Sequence, residues 1–344
     1  MATSCSLVLV NYRSAALALE AIRTARAATQ NPLQVIVVDN SVDSNEAAAL
    51  RVHADILIVA ETNLGYGAAV NRARAKCDGE VLLVCNPDVQ FDAGSIDMLI
   101  EADGDVAGPA LFWDDAFRWF LPPSDLHSSA EAIDAAIASH SVRWRRSRDR
   151  HRIRRRIAFW TLRDTTAVPA VSGAVMAIRR SAFDRAGGFD ERFHLYFEEI
   201  DFQRRMPAGG IVYVPKARCR HLYNQSAGRS PDAAAKYARS ERQYLEKWSG
   251  KLFAKWVKSF QLETTPPATQ RLMDDIHIDR PGIVIEASPL ASFDTAAGHF
   301  SSESRVAIPP EVWRAYQGEA LYLRVVDRDS ARVIATYVKT RITA

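Results

Sequence analysis

Several acidic side chains and one histidine stand where this sequence could do chemistry. Asp88 follows the apolar run Val81–Cys85 in EVLLVCNPDVQF, set off from it by Asn86 and Pro87. Five consecutive apolar residues read as a strand buried on both faces. The proline ends ladder pairing, so the carboxylate is held at the carboxyl end of that strand. In open parallel sheets this edge is where ligands bind. Asp39 closes a second apolar run in QVIVVDNSVD, where it suits either a ligand contact or a helix cap. Glu198, Glu199 and Asp201 in FHLYFEEIDFQRR read as the start of a helix. Glu198 and Asp201 share one face and Glu199 points elsewhere. A carboxylate there can remove a proton from a hydroxyl within hydrogen-bond reach; an acidic first turn also simply suits the helix dipole. His221 follows a short strand, where a lone histidine is more often incidental than a ligand.

The elements that must position these residues are legible as an alternation. Apolar runs at Ser6–Val10, Gln34–Asp39, Asp55–Ala60, Val81–Cys85 and Val106–Ala107 are separated by alanine-rich stretches at Ala15–Thr29, Asn45–Val52, Ala68–Cys77 and Ser95–Glu101. Strand–helix alternation at this spacing predicts an α/β fold with a mostly parallel sheet flanked by helices. Polar residues then gather at one sheet edge: Asn11 and Tyr12, Asp39, Asn63, and Asn86 with Asp88. No GxGxxG follows the first strand, where VLVNYRSAA stands instead, so an ordinary dinucleotide site is not expected. Further on, the pattern predicts a strand over Ala170–Ile178, a helix over Ser181–Ala186, a strand over Ile211–Val214 and one long helix over Asp232–Phe260. LETTPPATQ reads as a linker. The expected organisation is a domain over 1–262 with a basic insertion at about 140–160, a linker at 263–272, and a small β-rich domain over 273–344. The β-rich part has strands at Gly282–Ala287, Ser304–Ile308, Ala320–Asp327 and Arg332–Tyr337.

The 344 residues are 48% hydrophobic and 25% charged, with no apolar run near the length of a membrane span. The start MATSCSLVLVNYRS lacks the basic, apolar and small-residue order of an export signal. The four cysteines have no metal or disulfide spacing. A cytoplasmic protein is expected. Net charge is +3, yet Arg143–Arg156, RWRRSRDRHRIRRR, holds nine arginines against one aspartate, which leaves the rest of the chain at −5. A general nucleic-acid binder would spread its charge, so none is expected as a partner. The block could be a solvated face, an RNA-binding tract or a membrane-surface helix. The spacing of Ile153, Ile157 and Trp160 favours the last, with Arg152, Arg154, Arg155 and Arg156 meeting anionic headgroups at the inner face of the cell membrane.

VLVNYRS, QVIVVDNSVD, NLGYGAAVNRA, VLLVCNPDV, VSGAVMAIRRSAF and GGFDERFHLYFEEIDFQRR, in this order, resemble glycosyltransferase family 2, and most of all its bacterial rhamnosyltransferase-like branch. The resemblance spans roughly Ser4 to Ser226. It implies a GT-A fold, a nucleotide-diphosphate-sugar donor, Mn²⁺ or Mg²⁺, and inverting transfer to a saccharide or lipid-linked acceptor in cell-surface polysaccharide synthesis. By the same resemblance Tyr12 stacks on the donor base and Asp39 accepts its imide N–H. Asn63, Gly65 and Gly67 line the nucleotide, while Asn71 and Arg72 lie near the diphosphate. Asp88 matches the last acid of the metal motif, where Asn86 replaces the first. Glu199 matches the general base, and His221 a histidine that completes the metal site. A sugar nucleotidyltransferase and a degenerate scaffold protein are the rival readings. Short apolar runs such as LYLRVV in the C-terminal segment suggest edges for homo-oligomer contacts.

Overall fold

The computed structural model describes residues 4–222, 233–262 and 269–341. The first half alternates as expected: β1 (Cys5–Asn11), α1 (Ala15–Ala27), β2 (Leu33–Asp39), α2 (Ser44–Arg51), β3 (Ile56–Val59), α3 (Tyr66–Arg74), β4 (Val81–Cys85), β5 (Val89–Phe91), α4 (Ser95–Glu101) and β6 (Val106–Phe112). β1 pairs in parallel with β2 and β4, and β2 with β3. Every residue of β1 and β4 is buried, because helices cover both faces of the sheet. Alternate side chains divide between two cores. Leu7 and Leu9 face α1 and α4, whereas Val8 and Val10 face the layer that holds α3.

The middle of the chain contributes β7 (Trp119–Phe120), α5 (Ser129–His140), α6 (Val142–Trp160), β8 (Thr166–Ala167), β9 (Val175–Arg179), α7 (Arg180–Arg185), α8 (Glu198–Arg204) and β10 (Ile211–His221). β9 runs antiparallel between β4 and β6. β10 lies parallel to β6, shifts register between Val214 and Arg218, and then pairs antiparallel with β5. That shift lets one strand serve both neighbours and brings His221 opposite Val89.

The expected single helix over Asp232–Phe260 is two, α9 (Ala233–Ser249) and α10 (Lys251–Phe260); Asp232 itself lies outside the described residues. Gly250 separates them at φ 89°, a conformation open to glycine and costly for other residues. The linker residues 263–268 also fall outside the described residues. The C-terminal segment forms β11 (Gln270–Arg271), β12 (Ile276–His277), β13 (Ile283–Ser288), β14 (Ala297–Ser301), β15 (Arg305–Val306), α11 (Pro310–Ala315), β16 (Ala320–Asp327) and β17 (Val333–Thr340). β14, a strand absent from the sequence reading, pairs with β7 and so joins the C-terminal strands to the main sheet. LYLRVV is no edge: it lies in β16, between β13 and β17.

The basic run is helical, but its apolar stripe faces inward. Ile153 and Trp160 are buried, and the Trp160 indole N–H donates to the Leu121 carbonyl (2.9 Å). Arg156 pairs with Glu286 at 2.6 Å, and Glu286 also receives Arg324 at 2.6 Å. Arg324 in turn grips Asp149 on α6. Arg152 binds Asp294, Arg154 the Ser330 carbonyl, and Arg155 both Asp125 and Glu131. The expected membrane role of Arg156 and Trp160 is therefore corrected, since both are buried, while Arg152, Arg154 and Arg155 make contacts within the chain. Their partners are the chain's own C-terminal strands and the 125–131 segment, and Trp160 has no path to a lipid surface.

Candidate active site

The carboxyl ends of β1, β2 and β4 form one edge, and the side chains there are tied together. Asn11 donates to Asp39 Oδ1 (2.9 Å), Ser41 Oγ (3.2 Å) and Glu46 Oε2 (2.9 Å). Ser41 N–H also donates to Asp39 Oδ1 (3.1 Å). These contacts fix the Asp39 carboxylate while its Oδ2, buried, has no hydrogen-bond partner. A buried acceptor without a donor is costly, and a ligand N–H placed there would satisfy it. Tyr12, half exposed, follows Asn11 at this edge, with the Arg13 guanidinium 5.5 Å from the ring centroid.

Residues of the expected donor loop also make contacts within the chain. Asn63 caps the turn by accepting from Gly65 N–H at 3.0 Å. Gly65 has φ 83°, and a β-carbon there would come within 2.4 Å of the His194 carbonyl oxygen. A β-carbon on Gly67 would press on Phe189 and Glu198. The close approaches these glycines permit are to the protein's own 189–198 segment. Asn71 is likewise occupied: it bonds both N–H and C=O of Phe189 and the Glu191 carboxylate, each at 2.9 Å. Arg72 is exposed on α3. The loop thus docks the acid-bearing segment onto α3.

Asp88 and His221 meet, with Oδ1 and Nε2 3.2 Å apart, because β5 pairs with the end of β10. Asn86, immediately after β4, donates its backbone N–H to the Ala174 carbonyl (2.9 Å). This ties the NPD turn to the loop before β9, whose Gly173 faces α8: a β-carbon there would stand 2.5 Å from Glu199 Cγ. Only glycine leaves room for that acid. Glu198 and Glu199 each keep one buried oxygen without a hydrogen-bond partner. Burial raises the pKa of Glu199, partly offset by N–H groups of the first turn of α8. Burial, then the charge of Glu199, raises Glu198 further. Tyr66 lies among Cys85, Glu198, Glu199 and Asp88; burial first, and then those charges, keep its hydroxyl protonated. Tyr66 and Gly173 carry no signal as single residues in the sequence; they stand out only once α8 is in place.

Two consecutive non-glycine residues before α8, Tyr196 (φ 69°) and Phe197 (φ 70°), are left-handed. Such conformations cost energy and concentrate at functional sites. Here α9 and its neighbours hold them. Phe193, Phe197 and Tyr244 form a buried cluster, Trp248 donates to Asp201 (2.9 Å), and Lys247 bridges Asp190 and Asp201.

One carboxylate and one imidazole match the few protein ligands that Mn²⁺ or Mg²⁺ takes when a substrate diphosphate supplies the rest. Among the described residues no group of three or more acidic, histidine or cysteine side chains is arranged to hold an ion alone. A cavity of about 450 Å³ lies elsewhere, between Arg118, Arg163, His299 and Arg328, and contains none of these residues.

An α/β sheet with its polar residues at the carboxyl edge and helices on both faces is the GT-A arrangement of nucleotide-sugar transferases. The solved structure of GalNAc-T7 with UDP, GalNAc and Mn²⁺ has a similar fold, with a TM-score of 0.50 at 14% identity, over 71% of this chain and 48% of that one. A mannosyltransferase from Pyrobaculum calidifontis with GDP-Man and Mn²⁺ gives 0.47 at 14% identity, over 76% and 73%. Residues 6–187 match Glycosyl transferase family 2, and the chain belongs to that family. It is 33% identical over 238 residues to the N-acetylglucosaminyl-diphospho-decaprenol L-rhamnosyltransferase of Mycobacterium tuberculosis, across 59% of this chain and 71% of the relative.

Proposed function

We propose that this glycosyltransferase moves a sugar from a nucleoside-diphosphate donor to a saccharide carried on a lipid, with inversion, in cell-surface polysaccharide synthesis. The likeness to the mycobacterial enzyme supports rhamnose as the sugar and a lipid diphosphate as the carrier. The observation that carries the reading is the Glu199 carboxylate, packed against Gly173 with one oxygen unpartnered, on the same sheet edge as the Asp88–His221 pair. Tyr12 stacks on the donor base and the free Oδ2 of Asp39 accepts its imide N–H. Asp88 and His221 would hold Mn²⁺ or Mg²⁺, which when bound neutralises charge on the departing diphosphate. Glu199 accepts the proton of the acceptor hydroxyl while that oxygen bonds to the anomeric carbon. The bond from that carbon to the diphosphate breaks in the same displacement, which inverts the centre. A carboxylate with a raised pKa is the stronger base for this transfer.

Homo-oligomer contacts through strands fall to the part of β17 that β11 leaves unpaired, where Val333 and Ile334 are exposed; light scattering tests this. The main test is nucleoside-diphosphate release from a panel of nucleotide sugars with a lipid-linked N-acetylglucosamine acceptor, with and without Mn²⁺. Release from the rhamnose donor that stops on chelation is expected. Release that ignores chelation would remove the metal from the mechanism, and no release from any donor would sink the transferase reading.

A further inference from the structure

In α6, Ile153 and Trp160 are buried and Ile157 partly so, yet another face of the molecule carries the pattern they lack. In α10, KLFAKWVKSF, Ala254 and Val257 pack inward. The opposite side leaves Leu252 87% exposed, Trp256 48% and Phe260 41%. These three stand at i, i+4 and i+8, so they form one stripe along the helix. Lys251, Lys255 and Lys258 flank it, and all three are exposed. The stripe continues onto the next elements. The Phe260 ring lies 4.4 Å from that of His140, the last residue of α5, and Leu262 N–H bonds Ser139. Two residues beyond His140, at the start of α6, Val142 and Trp144 are exposed at 58% and 46% beside exposed Arg143 and Arg146. None of these five cations makes an ion pair within 4 Å among the described residues.

We infer that α10 and the first turn of α6 form a docking face for an anionic lipid surface. The occupant follows from the chemistry. A protein partner would present shaped apolar side chains with carboxylates to match. Here a flat row of Leu, Trp and Phe beside unpaired Lys and Arg fits the boundary between acyl chains and headgroups, where tryptophan settles and cations meet lipid phosphate. The face is also coupled to the acid-bearing segment. α9, which leads into α10 through Gly250, packs Tyr244 on Phe197 and bonds Asp201 through Trp248. A surface that seats α10 thereby sits one helix away from Glu199. The value of such docking to the enzyme rests on the lipid-linked acceptor proposed above, but the binding itself does not.

Co-sedimentation of the full chain with phosphatidylcholine vesicles, with and without about one-third phosphatidylglycerol, tests the face directly. Wild type should pellet with the anionic vesicles and far less with neutral ones. Leu252→Ser/Trp256→Ser should stay in the supernatant. Lys251→Gln/Lys255→Gln/Lys258→Gln should lose about a hundredfold in partitioning, since each basic residue near an anionic surface contributes about fivefold. All altered side chains are exposed, so thermal melting and donor hydrolysis in solution should match wild type. Equal pelleting of wild type and both variants would overturn the inference. So would a doubled mass in light scattering that both variants abolish, because the stripe would then seat a second copy. Loss of donor hydrolysis in wild type would count against the transferase reading and leave vesicle binding to be judged by itself.

Discussion

Glu286 and Glu198 are both enclosed acids, and their surroundings treat them in opposite ways. Around Glu286, Arg156 and Arg324 each donate at 2.6 Å, and Asp149 neutralises the outer side of Arg324. Burial pushes the Glu286 pKa up, but the two guanidinium groups outweigh it and hold the acid below the ordinary glutamate value. Around Glu198 and Glu199 no cation among the described residues forms an ion pair. Burial raises both, each keeps an unpartnered oxygen, and the residues just before them are held left-handed. The first cluster attaches the C-terminal strands to α6. The second leaves one buried oxygen on each acid without a hydrogen-bond partner among the described residues. Completeness of pairing, more than burial, separates the acid that joins two parts of the fold from the one proposed above to react.

Removing the pairing at the first cluster should have the largest effect. Glu286→Gln leaves Arg156 and Arg324 buried with half their partner gone, and should cost about 3 kcal/mol of stability, the low end for a broken buried pair because Asp149 remains. Urea unfolding measures this; a cost below about 1 kcal/mol would mean the cluster is not a clasp. Exchanging all three members for apolar residues of like volume should restore most of the loss.

At the second cluster, Gly173→Ala places a β-carbon 2.5 Å from Glu199 Cγ. Stability should change little, since the side chain can swing away, but turnover should fall about a hundredfold through misplacement of the base. Steady-state kinetics should show the drop in kcat with donor KM nearly unchanged. A parallel loss in thermal stability would recast Gly173 as a packing residue.

The smallest effect sharpens the contrast through pH. Because the folded-state pKa of Glu198 is raised, its contribution to stability is full below the unfolded value and is lost as pH rises through the folded value. Glu198→Gln removes that loss. The melting temperature of the variant relative to wild type should therefore climb as pH rises above the ordinary glutamate range. A flat difference would mean that the acid has found a partner. Glu286, held low, behaves in the other sense: its stabilisation persists above the unfolded value and fails only as pH falls.

The alternation of strands and helices, and the strand-end positions of Asp39 and Asp88, are legible in the sequence because buried parallel strands are nearly pure apolar runs. The meeting of Asp88 with His221 follows once β5 and β10 pair. What the sequence hides is long-range. The stripe Ile153–Ile157–Trp160 has the right spacing for either a lipid surface or a protein core, and its ionic partners Glu286, Asp294 and Arg324 lie more than a hundred residues away. β14, AGHFS, is too short and too polar to read as a strand, so the seam that joins the C-terminal strands to the sheet is invisible. The single helix expected over Asp232–Phe260 overlooks one left-handed glycine. That break frees α10 to turn its Leu, Trp and Phe outward.

The central claim is that Glu199 is the unpaired acid that takes the acceptor's proton. Glu199→Gln preserves shape and cannot accept it. Calorimetry with nucleoside diphosphate and Mn²⁺ should give an affinity near wild type, while sugar transfer falls about 10²- to 10⁴-fold and the acidic limb of the pH–rate profile disappears. Transfer at a near wild-type rate, with the acidic limb intact, would contradict the account and move the base to another residue.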